Sequence, residues 1–333
     1  MHDETRMTGI ASPADAAASR AGRGAASVFA VEPYIDVDAS VYHPWCVQAV
    51  HHRLCDHPLL QLPSLVELGA RLEVQGRIRT HSNDASAGTP FNSAPQLHPN
   101  RRSATQTLAG IGEAKAWMSL LNVQTDPLYR ELVGSVLDSI RPLIESRDPG
   151  MCYRGGWIFV SSPRTVTPFH FDKEHNFILQ IRGNKRVYVW DPDDEVVASE
   201  QARDRFHHCH QRDLLHWNEE FRERAHVFDL EPGQGAYLPS TSPHMVENGD
   251  APSITMSFTY FTDATRRDAL LHKTHELMRL AGFPPPPVGR SPLFDSLLHA
   301  GVTGSKRVRE IARQAMGKPA PSPCGPYALV EPS

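Results

Sequence analysis

A succession of short β segments separated by turns occupies residues 153–261, and it restricts the fold more than any other feature of the sequence. These segments are rich in β-branched and aromatic residues, and the turn dipeptides Gly183-Asn184 and Pro232-Gly233 stand between them. Many short strands joined by turns rather than helices indicate a sandwich or barrel such as a double-stranded jelly roll. We therefore predict a mainly β protein with helical additions.

Helical patterns flank the β region on both sides. Upstream, Asp126-Pro127 is an N-cap followed by proline at the first helical position, and apolar residues then recur at helical spacing. Downstream, Thr262 or Asp263 begins a helix that ends at Gly282. The predicted organisation is a disordered leader (1–28), a helical N-terminal elaboration (29–150), a jelly roll (151–262), a C-terminal helix (263–283) and a proline-rich tail (284–333).

Charge and composition exclude several classes of protein. The 34 Lys and Arg against 38 Asp and Glu give a net charge of -4, which argues against nucleic-acid binding through a general basic field and leaves only a local basic patch open. The longest apolar runs are far too short to span a membrane. The 5 cysteines are scattered and never form Cys-x-x-Cys, which favours a reducing, cytoplasmic location. We therefore expect neither a nucleic acid nor a membrane as partner.

The segment 167–172 (TPFHFD) carries candidate metal ligands. In an extended strand, His170 and Asp172 project from the same face, so a histidine from a later strand could complete a set of three ligands. His244 follows a turn-rich segment near a later strand end and is well placed for this role. Two imidazoles and one carboxylate on adjacent vertices form the facial arrangement that mononuclear non-heme Fe(II) favours.

Lys185 is a second candidate because of the predicted hairpin around residues 183–184. A two-residue loop would pair Arg182 with Lys185 and Asn176 with Asp191, which places Lys185 and Asn176 on one face. A lysine inside a barrel is costly unless an anion meets it, and a bound dicarboxylate could be that anion. The alternative is a lysine at the rim whose ammonium reaches water.

Thr167 presents a difficulty for a common site. It lies three residues before His170, and strict alternation along a strand would place the two side chains on opposite faces. Thr167 can therefore join a site with His170 only if Pro168 breaks the alternation.

Residues 167–191 (TPFHFDKEHNFILQIRGNKRVYVWD) resemble the Jumonji-C, or cupin-like, oxygenases that use Fe(II) and 2-oxoglutarate. The likeness is to the subgroup of the asparaginyl hydroxylase that inhibits the hypoxia-inducible factor and to its bacterial cupin-like relatives, and it continues through residues 231–244 and 254–261. It implies a dioxygenase that hydroxylates a peptide, a protein side chain or an amino-acid-like small molecule, with succinate and CO2 as co-products. Demethylation begins with the same C–H abstraction and stays open.

Carried over residue by residue, the resemblance implies that His170, Asp172 and His244 ligate Fe(II). It implies that Lys185 pairs with the distal carboxylate of 2-oxoglutarate and that the Thr167 hydroxyl hydrogen-bonds the same group. No catalytic side chain beyond the metal ligands is expected.

The resemblance also implies residues that line the cosubstrate pocket. Asn176 would lie beside 2-oxoglutarate near the metal. Thr259 stands where the hydroxylase has an asparagine, and Phe261 stands where it has a tryptophan, so the detailed lining differs from that of the hydroxylase. By analogy with the same enzyme, the apolar stripe of residues 270–278 either covers the barrel or forms a homodimer interface.

Other functions stay open at this point. A cupin-like binding or regulatory protein would keep the pocket without oxidation, and a zinc enzyme would catalyse hydrolysis or isomerisation. The run 207–210 (HHCH) suggests a second metal site, but neighbouring side chains in an extended chain point apart. We predict a polar loop between strands there, with at most two of its residues binding adventitious metal.

Overall fold

Two antiparallel β-sheets face each other and form a jelly roll. The structure is a computed structural model, and it describes residues 33–315. The predicted leader (1–28) and the end of the predicted tail lie outside the described residues. The strands are β1 (Ile35–Asp36), β2 (Gln48–His52), β3 (Ile78–Ser82), β4 (Ala116–Leu120), β5 (Cys152–Ser161), β6 (Val166–His170), β7 (His175–Arg182), β8 (Lys185–Val189), β9 (His226–Leu230), β10 (Gln234–Leu238), β11 (His244–Asn248) and β12 (Ser253–Phe261).

The large sheet has the strand order β1-β2-β10-β7-β12-β5-β4-β3, and the small sheet has the order β6-β11-β8-β9. Apolar side chains from both sheets meet between them, among them Ile178 and Leu238 from the large sheet and Val187, Val189 and Val246 from the small one. Each strand therefore has an inner face, which turns towards the opposite sheet, and an outer face.

Helices cover the outer face of the large sheet and extend the chain after β12. They are α1 (Leu62–Val74), α2 (Ala94–Leu97), α3 (Ala104–Ala109), α4 (Pro127–Arg147), α5 (Glu200–Cys209), α6 (Asp263–Leu280) and α7 (Pro292–Ala315). The predicted N-cap of α4 is confirmed, because the Asp126 side chain accepts a hydrogen bond from Leu128 N. Leu132, Val136 and Ile140 of α4 are buried in the main core. Among the described residues, no helix is both long and apolar enough to cross a bilayer.

Three of the predicted segments need correction. Residues 29–150 are not only helical, because β1 to β4 lie there and extend the large sheet at both edges. The β region contains a helix, α5, which Ser199 caps by accepting from Ala202 N, so the predicted loop over 207–210 is helical up to Cys209. The proline-rich tail includes α7. Short strands at sheet edges and short capped helices give weak sequence signals, which explains these errors.

The predicted hairpin around residues 183–184 is wrong. Strand β7 pairs with β10 and β12 in the large sheet, whereas β8 pairs with β11 and β9 in the small sheet. Gly183 has φ +71°, and a Cβ there would collide with the backbone of Pro252. Gly183 and Asn184 therefore carry the chain from one sheet to the other, so Asn176 and Lys185 lie on opposite walls of the jelly roll.

The C-terminal stripe is only partly buried. Leu271 of α6 is buried, whereas Leu277 is 55% exposed. Homodimerisation through this helix stays a prediction.

Candidate metal centre

His170, Asp172 and His244 come together at one end of the jelly roll. His170 is the last residue of β6 and pairs across the sheet with His244, the first residue of β11. Asp172 lies beyond the end of β6, where the chain leaves the strand. Its Oδ2 is 3.7 Å from His170 Nε2 and 3.8 Å from His244 Nε2. Potential ligand atoms of all three residues lie within 4.8 Å of one another, so the predicted ligand set converges.

Backbone carbonyls orient both imidazole rings. His170 Nδ1 lies 2.8 Å from the carbonyl oxygen of Pro168, and His244 Nδ1 lies 3.0 Å from that of Ser242. Each Nδ1–H donates to its carbonyl, which leaves Nε2 as the free ligand atom directed at Asp172. Burial lowers the pKa of both histidines, so the rings are neutral and able to bind a metal ion.

Arg212 holds the carboxylate of the group. Its Nη2 donates to Asp172 Oδ1 at 2.9 Å, its Nε to the carbonyl oxygen of Phe171 at 2.9 Å, and its Nη1 to Asn92 Oδ1 at 2.8 Å. Desolvation by burial alone would raise the pKa of Asp172, but the neighbouring basic groups outweigh it and lower the pKa to about 2. The oxygen that faces the histidines therefore stays free and charged.

Phe91 and Arg79 cover the histidine side of the group. The Phe91 ring stacks on His170 with centroids 3.8 Å apart and an interplanar angle of 7°. The guanidinium carbon of Arg79 lies 4.1 Å from the centroid of the same Phe91 ring. Burial lowers the pKa of Arg79 to about 10, and its Nε has no hydrogen-bond partner within the described part of the chain. Its Nη2 donates to the carbonyl oxygen of Phe91, so only part of the guanidinium is left for an anionic group.

A cavity of about 250 Å³ lies between the sheets beside this group. His170 and Asp172 form part of its wall, and Trp117, Trp157 and Phe159 give it an aromatic side. These aromatic residues stand on β4 and β5, which join β12 in the large sheet. The extension of the sheet by N-terminal strands therefore builds a wall of the cavity.

Asn176 and Thr259 both line the same cavity. They are direct cross-strand neighbours on β7 and β12. The two residues expected to line one pocket are therefore adjacent in the structure. Asn176 Oδ1 and Ser257 Oγ are buried there without hydrogen-bond partners among the described residues. Buried polar atoms of this kind normally have partners, and a bound polar ligand would supply them.

A bulge in β6 resolves the difficulty with Thr167. His244 pairs with His170, whereas Val246 pairs with Thr167, so β6 uses one residue more than β11 over this stretch. His244 and Val246 share the inner face because they are two residues apart, and their partners therefore share it too. Pro168 lies within the bulge. Thr167 and His170 are therefore neighbours on the inner face of the small sheet.

Lys185 lies on the same inner face but further along the sheet from His170 and His244. Along β11, His244 pairs with Val189 and Asn248 pairs with Lys185. Lys185 does not line the 250 Å³ cavity, and it borders a separate, open pocket of about 620 Å³. Its side chain is 6% exposed, and burial lowers its pKa to about 7. No carboxylate of residues 33–305 forms an ion pair with it, so it is a buried cation without a counter-charge.

Three residues that line the cavity were not predicted from the sequence: Arg79, Phe91 and Arg212. Phe91 lies in a short 3-10 turn and Arg212 in the loop after α5, both far from the predicted motif in sequence. An arginine or an aromatic residue in a loop gives no signal of its own, and only the folded contacts identify these three.

Comparisons with known proteins agree with this architecture. The family model described as "Cupin-like domain" matches residues 104–266, just under half of the chain. The chain therefore contains a cupin-like domain, and the predicted fold is confirmed. No curated protein matches the chain.

Several solved structures are also similar. An X-ray structure of YcfD from E. coli is 18% identical and covers 66% of this chain and 58% of that chain, with a TM-score of 0.35. A structure of YcfD, a ribosomal oxygenase from Escherichia coli, in complex with cobalt and 2-oxoglutarate is 18% identical and covers 63% and 50%, with a TM-score of 0.33. The DMSP lyase DddQ from Ruegeria pomeroyi DSS-3 is 13% identical and covers 32% and 38%, with a TM-score of 0.22. The chain spans about half the length of the YcfD chains.

Proposed function

We propose that this cupin-like protein is an Fe(II)- and 2-oxoglutarate-dependent oxygenase. One observation carries the proposal: His170, Asp172 and His244 direct their free ligand atoms at one point beside a cavity. Backbone carbonyls occupy the other ring nitrogen of each histidine, as expected of metal-binding imidazoles. Two imidazoles and one carboxylate on one side of an ion leave several coordination positions open, which suits non-heme Fe(II).

Residues on both walls of the jelly roll also suit a dicarboxylate cosubstrate. Lys185 would pair with its distal carboxylate, since this ammonium is buried and no described carboxylate forms an ion pair with it. Thr167 shares the inner face with Lys185 and would donate its hydroxyl proton to the same carboxylate. Asn176 and Thr259 would border the cosubstrate near the metal, where Asn176 Oδ1 lacks a partner.

When bound, the iron would supply the oxidation of 2-oxoglutarate and of a substrate C–H bond. The chain's own residues bind, orient and exclude water. Arg212 fixes the direction of the Asp172 carboxylate, and Phe91 fixes the plane of the His170 ring. Trp117 and Trp157 cover the cavity with apolar surface, which keeps water from the reacting groups.

The size of the cavity restricts the substrate. Its volume of about 250 Å³ lies below the roughly 300–1,000 Å³ of pockets that enclose a drug-sized ligand. Only a small molecule, or one side chain of a peptide or protein, fits beside the cosubstrate. The Arg79 guanidinium lines this cavity and would attract an acidic group on that substrate.

An anaerobic titration with Fe(II) and 2-oxoglutarate tests the proposal. Wild-type protein should develop a visible metal-to-ligand charge-transfer band. His170→Ala should lose the band because one ligand is removed, whereas the exposed His216→Ala is the control and should keep it. A wild type without the band, or a band unchanged in His170→Ala, would contradict the proposal.

Admission of oxygen then separates the remaining functions. An oxygenase should convert 2-oxoglutarate to succinate even without its substrate, at a low rate. Metal and 2-oxoglutarate binding without succinate would instead indicate a cupin-like binding protein. Mass spectrometry of treated cell extract for products that gain one oxygen atom then addresses the substrate, and loss of a methyl group would indicate demethylation.

A further inference from the structure

Helix α6 turns a polar face towards the protein. Its most buried residues in the second half are His272, His275 and Glu276, whereas Leu277 is exposed. The facing helix α5 likewise buries Asp204 among other polar residues. Amphipathic helices normally pack through an apolar face, and burying polar groups without partners costs free energy. This polar contact between helices therefore calls for a specific explanation.

Three side chains converge between α5 and α6. Glu200 and Asp204 lie one helical turn apart on α5, and His272 faces them from α6. His272 Nδ1 is 2.8 Å from Asp204 Oδ1 and 3.5 Å from Glu200 Oε1. Potential ligand atoms of all three lie within 4.8 Å of one another. Metal sites between packed helices are built in this way, from inward side chains on facing helices.

His275 adds an independent observation. It is 0% exposed, and neither of its ring nitrogens has a hydrogen-bond partner among the described residues. Its Nδ1 is directed at the group and lies 4.0 Å from Asp204 Oδ1. Burial lowers the pKa of His275, so the ring is neutral with a free lone pair. A buried imidazole without a partner is destabilising, and coordination to a metal ion would remove that cost.

Hydrogen bonds from neighbouring groups hold the carboxylates of Asp204 and Glu200, as Arg212 holds Asp172 at the jelly-roll site. Arg279 Nε donates to Asp204 Oδ2 at 2.7 Å, which leaves Oδ1 facing the histidines. Val288 N donates to Glu200 Oε1 at 2.8 Å. Arg212 holds one oxygen of Asp172 in the same manner at the jelly-roll site, whereas Asp204 Oδ1 also lies 2.8 Å from His272 Nδ1 and would bind an ion once that nitrogen loses its proton.

We propose that Glu200, Asp204 and His272 form a second metal site, with His275 as the fourth ligand. Two nitrogens and two carboxylate oxygens in a buried setting suit a four-coordinate zinc-type divalent ion. The site is structural, because four protein ligands leave no position open for a substrate.

The ion would link α5 to α6 and thereby support the jelly-roll site. Phe206, on α5, lines the 250 Å³ cavity, and His210 and Arg212 follow directly after the helix and line it too. A fixed α5 keeps these residues in place. The second site is thus a positioning element for the first, although its binding of metal does not depend on the proposed activity.

Zinc binding by a variant without the first site tests this proposal. In His170→Ala/His244→Ala protein, equilibrium dialysis against Zn²⁺ with elemental analysis should find one ion per chain. Adding His272→Gln should reduce this to none, and adding His275→Gln should weaken binding. The exposed His208→Ala, on the same helix, is the matched control and should keep the ion. Zn²⁺ should also raise the melting temperature of the double variant but not of the variant that also carries His272→Gln, which excludes loss of folding as the cause.

Two results would overturn the proposal. One is a double variant that binds no zinc. The other is zinc that survives His272→Gln and disappears with His208→Ala, which would indicate surface histidines. Neither result bears on the oxygenase proposal, since the variants already lack its ligands, and failure of that proposal leaves these outcomes unchanged.

Discussion

The two ends of the inner face of the small sheet are built differently. At the metal end, each histidine has its second ring nitrogen bonded to a carbonyl and the carboxylate of Asp172 is held by Arg212. At the other end, Lys185 is buried, and none of the carboxylates in the described part of the chain forms an ion pair with it. The first end is organised before any ligand binds, whereas the second holds a group that only an anion can satisfy.

This difference indicates how the two ligands would bind. A metal ion meets ligands whose orientation is already fixed, so little ordering is needed. A dicarboxylate instead restores the charge of a lysine whose pKa burial has lowered to about 7. Metal affinity should therefore depend on geometry, and cosubstrate affinity on one buried charge.

Replacing Lys185 should have the largest effect on the lysine end. Lys185→Met should weaken 2-oxoglutarate binding to the Co²⁺-loaded protein by about 2–5 kcal/mol, because the distal carboxylate would be buried without its partner. Isothermal titration calorimetry measures this loss. Arg186→Met removes the next cation on the same strand, which is exposed and paired with Asp229, and should leave the affinity unchanged. Equal losses in both variants would show that Lys185 acts only through the general field.

Replacing Arg212 should have a smaller effect, confined to the metal end. Arg212→Lys keeps the positive charge but loses the contacts that hold Asp172, Phe171 and Asn92 together. Co²⁺ affinity should fall by about 10–100-fold, as for other groups that orient a metal ligand. The control Arg222→Lys alters an arginine paired with Glu247 elsewhere on the surface. An Arg212→Lys protein with unchanged Co²⁺ affinity would show that the triad is organised without this arginine.

The three residues that converge at the candidate metal centre could be named from the sequence. The spacing of His170 and Asp172, with a histidine after a later turn, led to a group that the structure brings within 4.8 Å. The jelly roll followed from the succession of short strands, and the family match confirms it. The spacing of His170 and Asp172 and the succession of strands are local patterns, whereas His244 reaches His170 only through the pairing of β11 with β6.

Features that depend on long-range pairing could not be predicted. The Gly183-Asn184 dipeptide has the composition of a hairpin loop, yet it connects two sheets, because the partners of β7 and β8 come from distant strands. The bulge that returns Thr167 to the inner face exists only in the pairing of β6 with β11. Arg79 and Phe91 reach the site because β3 extends the large sheet, and no local sequence pattern predicts this extension.

A further prediction concerns stability and pH, and it tests the lysine end without any ligand. The pKa of Lys185 is about 7 in the folded protein and about 10.4 in an unfolded chain. Between these values the unfolded chain binds one more proton than the folded protein, so the free energy of unfolding should rise with pH. This one group contributes at most about 1.4 kcal/mol per pH unit, and the penalty is complete below about pH 7.

Urea denaturation of metal-free protein between about pH 7 and 10 measures this contribution as a difference between variants, since other groups titrate in the same range. Lys185→Met cannot titrate at this position, so it should be more stable than wild type near pH 7, and the gap should close as the pH rises. Arg186 is exposed and stays charged in the folded and the unfolded protein over this pH range. The stability curve of Arg186→Met against pH should therefore run parallel to that of wild type. Parallel curves for Lys185→Met and wild type would mean that the ammonium reaches water at the rim, and the contrast between the two ends of the sheet would then be lost.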